Sequence, residues 1–543
     1  MIRSKIQILT GLGMGLLMMG CSTSNIITAP PINYSNSSSK VAELTDQESR
    51  HWGHLDLQQD TIPGMSVDRA YTELLKKKKG EEVIVAVIDS GIDLDHEDIQ
   101  EVIWTNADEK PGDGIDNDGN GYIDDIHGYN FLGESYNEQM EMARILRLKI
   151  GDEAYQAAAR AKLNEMLPEA EAGLPQLKQV EAMLTQADKN IKESLGKENY
   201  SLADLQNYQP KNPQEERTVG MLMQLIGMGE EIPATIKNIQ KGIKYYETQV
   251  NYNLNVDFNG RIPVGDDPYD ISDDQYGNGN PDSRYQDESH GSHVAGIIAA
   301  TRNNKKGVDG VASNVKIMSV RAVPNGDEYD KDIALAIHYA VDNGAKVINA
   351  SFGKGFSPNS EWVYEALNYA ASKDVLFVQA AGNDGIDLDS PENPVFPNDH
   401  KSQTQEFVDN YLTIGALTPM FGENMVASFS NYGKENVDIF APGDEIYSTM
   451  PDNQYEFQGG TSMAAPAVTG LAAMIRSYFP DLSAAQVKQV IMDSGIPLAV
   501  EVHVGGPEGP VKSFSEISKS GKIVNLYNAL ILASEVANGN ASL

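Results

Sequence analysis

The residues Val83-Ile84-Val85-Ala86-Val87-Ile88 form an unbroken apolar run that ends in Asp89-Ser90-Gly91. A strand with one wet face alternates apolar and polar residues. A strand without that alternation is buried on both faces, as in a parallel sheet. Similar runs follow at Val315–Val320, Lys346–Ala350 and Val375–Ala380. Helical patterns lie between them, at Lys331–Asn343, stopped by Gly344, and at Glu361–Ser372. Strands alternating with helices of this length require right-handed crossovers, so the expected fold is α/β, a doubly wound, mostly parallel sheet. Ligands of such sheets sit beyond the carboxyl ends of the strands, which puts Asp89 on the expected active edge.

At about 150 residues per domain, the 543 residues allow three or four domains, or one large domain with insertions. Two regions break the alternation. Leu177, Val180, Leu184, Ala187, Ile191 and Leu195 follow the three–four spacing of an amphipathic helix. Ser201-Leu202-Ala203-Asp204 is a capped helix start with Asp where Glu or Gln is usual. Residues 134–250 are therefore read as a helical insertion between Asp89 and the histidines considered below. Asp257–Glu288, with nine acids and two arginines, reads as loop. The formal net charge of −36 excludes nucleic acid as a partner, because phosphate binding needs a basic face.

The single cysteine cannot form an intramolecular disulfide, and its position has another meaning. A basic start, Met1–Lys5, precedes an apolar run, Ile6–Gly20, and then Cys21. The run is shorter than the roughly 20 residues that span a bilayer, and the layout is that of a signal peptide. It resembles a bacterial lipoprotein signal, with Met18 where Leu is usual. That resemblance implies a signal peptide over 1–20, a lipid on Cys21 and export to the bacterial cell envelope, on the periplasmic face or the cell surface. Residues 21–54 would form the tether, with Ser22–Lys40, rich in Ser, Asn, Thr and Pro, expected to be disordered. The globular part would run from 55 to 543.

Three motifs carry chemistry: Asp89-Ser90-Gly91-Ile92-Asp93 at a strand end, His290-Gly291-Ser292-His293, and Gly460-Thr461-Ser462-Met463-Ala464-Ala465-Pro466 opening a helix. Singly, Asp89 reads as a turn cap, Ser462 as a helix N-cap, and His290 with His293 as a weak metal pair. Together they supply a nucleophile, a base and a carboxylate to fix the base's tautomer. The order Asp, His, Ser is that of subtilisin, and the chain resembles the subtilisin-like serine peptidases over roughly Leu55–Thr105 and Ser283–Val536.

The resemblance implies that Asp89 is the triad carboxylate, His290 the general base and Ser462 the nucleophile. It makes Asn383, in Ala380-Ala381-Gly382-Asn383, the oxyanion-hole amide. Ser351, Phe352 and Gly353 would contact substrate, with Ala381 and Gly382 lining the same pocket. Ala427–Gly433 and Ala441-Pro442-Gly443 match further family signatures. The implied function is a serine endopeptidase acting on proteins or peptides through an acyl-enzyme. The alternative is a catalytically idle peptide-binding envelope protein on the same fold. Ala465 and Ser292 depart from the commoner residues without touching a reacting atom. The segment before Lys331, where the family carries a substrate-pairing strand, is altered. An inhibitory propeptide of the usual size is not expected before Leu55.

A second constellation is acidic. Asp116, Asp118 and Asn120 fall at i, i+2 and i+4, followed by Gly121 and Asp124, with Asp113 ahead of them. Calcium takes six to eight oxygens, and this run is similar to the first two-thirds of an EF-hand loop. His127 stands where the closing Glu would be, so Asp113 or Asp125 must close it. Without metal the run is a string of Asx-turns. Asp98 and Asn304 align with ligands of a calcium site common in subtilases, with Gln59 as a third. Structural calcium is the expected cofactor.

Overall fold

The computed structural model describes residues 26–33, 40, 42–76, 78–229, 231–283, 288–402 and 405–543. The signal peptide and Cys21 lie outside them. A central sheet is built from β1 (Val83–Asp89), β2 (Gly128–Asn130), β3 (Val315–Arg321), β4 (Val347–Ala350), β5 (Leu376–Ala380), β6 (Tyr411–Leu417) and β7 (Ile439–Pro442). A hairpin of β8 (Ile446–Met450) and β9 (Gln454–Gln458) stands apart, and β10 (Ile496–Pro497) and β11 (Lys522–Ile523) complete the sheet. The sheet order is β10-β11-β7-β6-β5-β4-β1-β3-β2, parallel throughout except for β10 against β11.

The helices are α1 (Glu141–Leu148), α2 (Glu153–Leu195), α3 (Pro213–Gly227), α4 (Ile232–Thr248), α5 (His290–Ala299), α6 (Asp330–Asp342), α7 (Ser360–Ser372), α8 (Thr461–Tyr478), α9 (Ala484–Ser494) and α10 (Leu526–Ala537). Layers on the two faces of the sheet explain the unbroken apolar runs. Val83, Val85 and Val87 of β1 pack with α5, α8, α9 and α10, whereas Ala86 and Ile88 pack with α6 and α7. The fold is the α/β arrangement expected, with strand ends within a residue or two of the apolar runs.

Between β2 and α5 the chain leaves the sheet. Helices α2 to α4, with a one-turn helix at Leu202–Gln206, share a small core of Leu184, Ala187, Ile191, Leu205, Val219, Leu222 and Ile232, while α1 packs with the first turns of α2 in a second cluster. Ser201 caps the short helix and Asp204 reciprocates, so Asp serves in the capping box. At 43 residues, α2 is about 65 Å long and contains Pro168 and Pro175.

The stretch expected to be a disordered tether is partly docked. Ile27 and Ile32 are buried against α10, and their N–H groups donate to Ser534 Oγ and Asn528 Oδ1, each at 2.8 Å. Two of the three isoleucines in a mostly polar stretch are buried and anchor it, and composition alone hid them. Trp52, ahead of the expected start of the globular part, is 1 % exposed in a core with Leu57, Ile62 and Phe440.

Candidate active site

Asp89 is the last residue of β1 and is buried. Its Oδ1 accepts from His290 Nδ1 at 2.8 Å and from Ser90 N at 2.7 Å, and its Oδ2 lies 3.0 Å from the same Nδ1. A close approach of two turns makes this contact. A Cβ on Gly291 would stand 2.2 Å from the Gly91 carbonyl oxygen, so only glycine lets the first turn of α5 lie on the turn after β1. An ionised carboxylate accepts only, so His290 carries its proton on Nδ1 and leaves the Nε2 lone pair free. Burial pulls His290 toward its neutral form. The Asp89 charge and hydrogen bonds outweigh it, and the imidazole pKa lies above its ordinary 6.5. His293 is different: burial pushes it down to about 4, and its Nε2 meets the Glu456 carbonyl at 3.1 Å.

Ser462 sits at the start of α8, and its Oγ donates to the Ser351 carbonyl oxygen at 3.2 Å. Ser351 Oγ in turn donates to the Ser462 carbonyl at 2.9 Å, tying the end of β4 to α8. Asn383 follows β5. Its Oδ1 accepts from Thr461 N at 2.8 Å and from Thr461 Oγ1 at 3.0 Å, which leaves the amide Nδ2 as the outward donor. A Cβ placed on Gly460 would be 3.7 Å from that Nδ2 and 3.6 Å from Ser462 N, so both donors border one space. Two donors facing one space can bind an anionic oxygen.

Thr461 and Asn431 are positioning residues that sequence reasoning missed. Asn431 Nδ2 donates to Ala381 O, while its Oδ1 accepts from Asp384 N and Ile386 N, which holds the turn bearing Asn383. Asn431 lies inside the Ala427–Gly433 signature, the one signal that could have found it. In the other signature, the Gly443 carbonyl accepts from Gly460 N at 2.8 Å and sets the start of α8.

Near Ser351, a cavity of about 340 Å³ is lined by Ala380, Ala381, Val395 and Phe396. Gly353 borders it: a Cβ there would be 3.3 Å from Phe396 O and 3.5 Å from Val395. Phe352 turns its ring into the core, so only its backbone remains at the site. The altered segment before Lys331 is paired with the root of the insertion: Asn325 N donates to Tyr136 O at 2.8 Å and Glu138 N to Asn325 O at 3.1 Å.

The acidic loop is arranged differently from an EF-hand run. Asp116 accepts from Gly119, Asn120 and Gly121 N–H groups, Asp124 from Asp113 and Gly114, and Asp113 from Ile115. Of the five residues read from the spacing, Asp118 converges with Glu109 and Asp125, their nearest oxygens all within 4.8 Å of one another. Glu109 is 6 % exposed, and its Oε2 has no hydrogen-bond partner among the described residues. Asn106 and Asn120 place Nδ2 atoms between Asp118 and Asp125 at 2.9–3.1 Å. Burial raises Asp125 to about 6. Glu109 lies outside the i, i+2 spacing, so no motif pointed to it. Elsewhere, buried Asp98 accepts from Asn304 Nδ2 at 2.5 Å and Val308 N at 2.9 Å, while Gln59 is exposed.

A parallel sheet with an acid, an imidazole and a hydroxyl gathered at its carboxyl edge defines a subtilisin-like α/β protein. The chain belongs to the Subtilase family, whose model matches residues 80–513. It is similar to the thermophilic serine proteinase of Bacillus sp. (strain AK1), with 39% identity over 238 residues, 43% of this chain and 52% of that protein. It is also similar to subtilisin DY of Bacillus licheniformis, 35% over 218 residues, 40% of this chain and 73% of that one. Subtilisin-like protease 1 of Plasmodium falciparum is 32% identical over 295 residues, 50% of this chain and 41% of that protein. The chain thus spans about half the length of the Bacillus AK1 relative. A solved protease from Pseudoalteromonas arctica aligns with a TM-score of 0.36 and 29% identity, covering 45% of this chain and 70% of that one.

Proposed function

We propose that the protein is a serine endopeptidase that hydrolyses peptide bonds in proteins through an acyl-enzyme. The observation that carries this reading is Asp89 bonded to His290 Nδ1, with Ser462 and the Asn383 amide flanking one space. Before attack, the Ser462 hydroxyl exchanges its bond to Ser351 O for one to His290 Nε2. Oγ then bonds to the substrate carbonyl carbon as Nε2 takes its proton, and Asp89 steadies the imidazolium. Asn383 Nδ2 and Ser462 N hold the oxyanion, where one such donor is worth about 10²–10³ in turnover in subtilisin itself. The C–N bond breaks as Nε2 returns the proton to the leaving amine. Water, deprotonated by the same nitrogen, releases the acyl group and restores the hydroxyl. The pocket beside Ser351 and Gly353 receives the side chain preceding the cut. Ser462→Ala should abolish both casein cleavage and labelling by a fluorophosphonate probe while the melting temperature holds. Proteolysis retained by that variant would remove the assignment.

Structural calcium is part of the proposal. Glu109, Asp118 and Asp125 supply hard oxygen donors, and an unpartnered buried carboxylate oxygen favours a cation there. With an ion bound, Asn106 and Asn120 would turn their amide oxygens inward. Chelation should lower the melting temperature, and Glu109→Gln should weaken calcium binding measured by titration calorimetry. A melting temperature indifferent to chelator in the wild type would end this reading. The Cys21 lipid anchor and envelope location rest on the leader sequence, and radiolabelled palmitate incorporation lost in Cys21→Ser is their test.

A further inference from the structure

We propose that the insertion forms an arch fastened on both sides of the catalytic residues, which restricts the enzyme to extended, flexible polypeptide and excludes folded surfaces. This rests on the peptidase reading above. One foot of the arch is buried. In α1, Glu141 pairs with Lys354 Nζ at 2.9 Å, directly after the Ser351–Gly353 segment, and Arg144 donates to the carbonyls of Asp327 and Glu328. Tyr155 of α2 meets Phe356 edge-on, with ring centroids 5.7 Å apart. Lys354 exchanges backbone bonds with Phe396, a wall of the 340 Å³ cavity.

The other foot is exposed. Lys237 and Lys241 of α4 reach Glu456 of β9 at 3.8 and 3.3 Å. Glu456 lies close to the helix that carries His290. Its carbonyl accepts from His293, one turn along α5 from His290, and six residues on is Ser462. From α4 the chain continues through a π-helical turn, Gln249–Asn253, to the buried foot, where Asn253 Nδ2 donates to Glu138 O and Asn325 O. From Lys241 to Asn253 is twelve residues, about 18 Å of helix. An extended strand needs roughly 5–10 Å in cross-section, whereas even a small folded domain has a radius of gyration of about 13 Å.

The two feet differ in strength. Buried charge pairs on the first cannot separate without stranding a charge. Two lysines on one exposed carboxylate form a releasable latch, which salt screens.

The test uses the full chain and one cleavable sequence presented twice, as a free short peptide and as an exposed loop of a stably folded host. Reversing both lysines, Lys237→Glu with Lys241→Glu, should leave peptide kcat/KM within about twofold. Cleavage of the loop should rise several-fold, up to about the tenfold that two exposed pairs can hold closed. Adding Glu456→Lys should restore the wild-type ratio, and fluorophosphonate titration counts folded enzyme in every variant. Raising salt should increase the loop-to-peptide ratio of the wild type and not that of the latch variant. An unchanged ratio on opening the latch overturns the arch. Failure of every version to cut the free peptide instead overturns the peptidase reading beneath it.

Discussion

Asp89 raises the pKa of His290 against the pull of burial, and that balance sets opposite pH limits on activity and stability. In the proposed mechanism the base works only when Nε2 is unprotonated, so the acidic limb of kcat/KM should lie above pH 6.5. In stability the sign is reversed. A histidine whose folded pKa is raised stabilises the fold below its unfolded value and loses that contribution as pH rises through the folded value. The pair therefore holds the fold most firmly where the enzyme is idle. Asp89→Asn removes the charge and leaves burial in control. Its acidic limb should move below the wild-type limb while kcat falls by about 10⁴, the scale seen when a triad carboxylate is neutralised. A pH–rate profile measures both. A limb that stays in place would mean that Asp89 does not tune the base.

Helix α5 carries His290 and reaches its position because it can lie flat on the β8–β9 hairpin. A Cβ on Gly296 would stand 2.2 Å from Thr449 Oγ1 and 2.5 Å from Ser448 Oγ, two hydroxyls that donate to the carbonyls of Ser292 and His293. Gly296→Ala should push the helix off the hairpin and cost about 1–3 kcal/mol by overpacking, read as a lower melting temperature together with a lower kcat/KM. Such contacts mark the limit of what a sequence discloses. The strands from Val83, Val315, Lys346 and Val375 were legible because burial on both faces leaves no alternation. Asp89, His290, Ser462 and Asn383 were legible because each sits in a glycine-containing motif of the family. Glu109 was not, because the cluster it forms with Asp118 and Asp125 is assembled in space from residues of unequal spacing. Thr461 and Asn431 were not, because a buried side chain that fixes a turn looks like any polar residue.

At the scale of the whole molecule, the question is where a net charge of −36 is tolerated. The acids of the 257–288 loop answer part of it from within. Arg261, buried, pairs with Asp266 at 2.7 Å and with Asp332 at 2.5 Å, and Lys331 pairs with Asp266 at 2.7 Å. Beside them Lys354 serves Glu141 and Asp330, each at 2.9 Å, and these neighbours hold its pKa above the usual lysine value against the pull of burial. This network joins the insertion and the acidic loop to α6 and the segment after β4, so the insertion is anchored by charge as well as by apolar packing. Lys354→Met leaves Asp330 buried without its cation, while Glu141 keeps Arg144 Nη2 at 2.6 Å, and breaking a buried pair from one side costs about 3–5 kcal/mol. Protonation in acid neutralises a carboxylate stranded without its cation and so removes that penalty. The deficit in melting temperature between Lys354→Met and wild type should therefore be largest near neutral pH and shrink as pH falls toward 4. Adding Asp330→Asn should recover part of the loss at neutral pH and little of it in acid. A deficit independent of pH would mean that Lys354 acts through the packing of its stem and not through its charge.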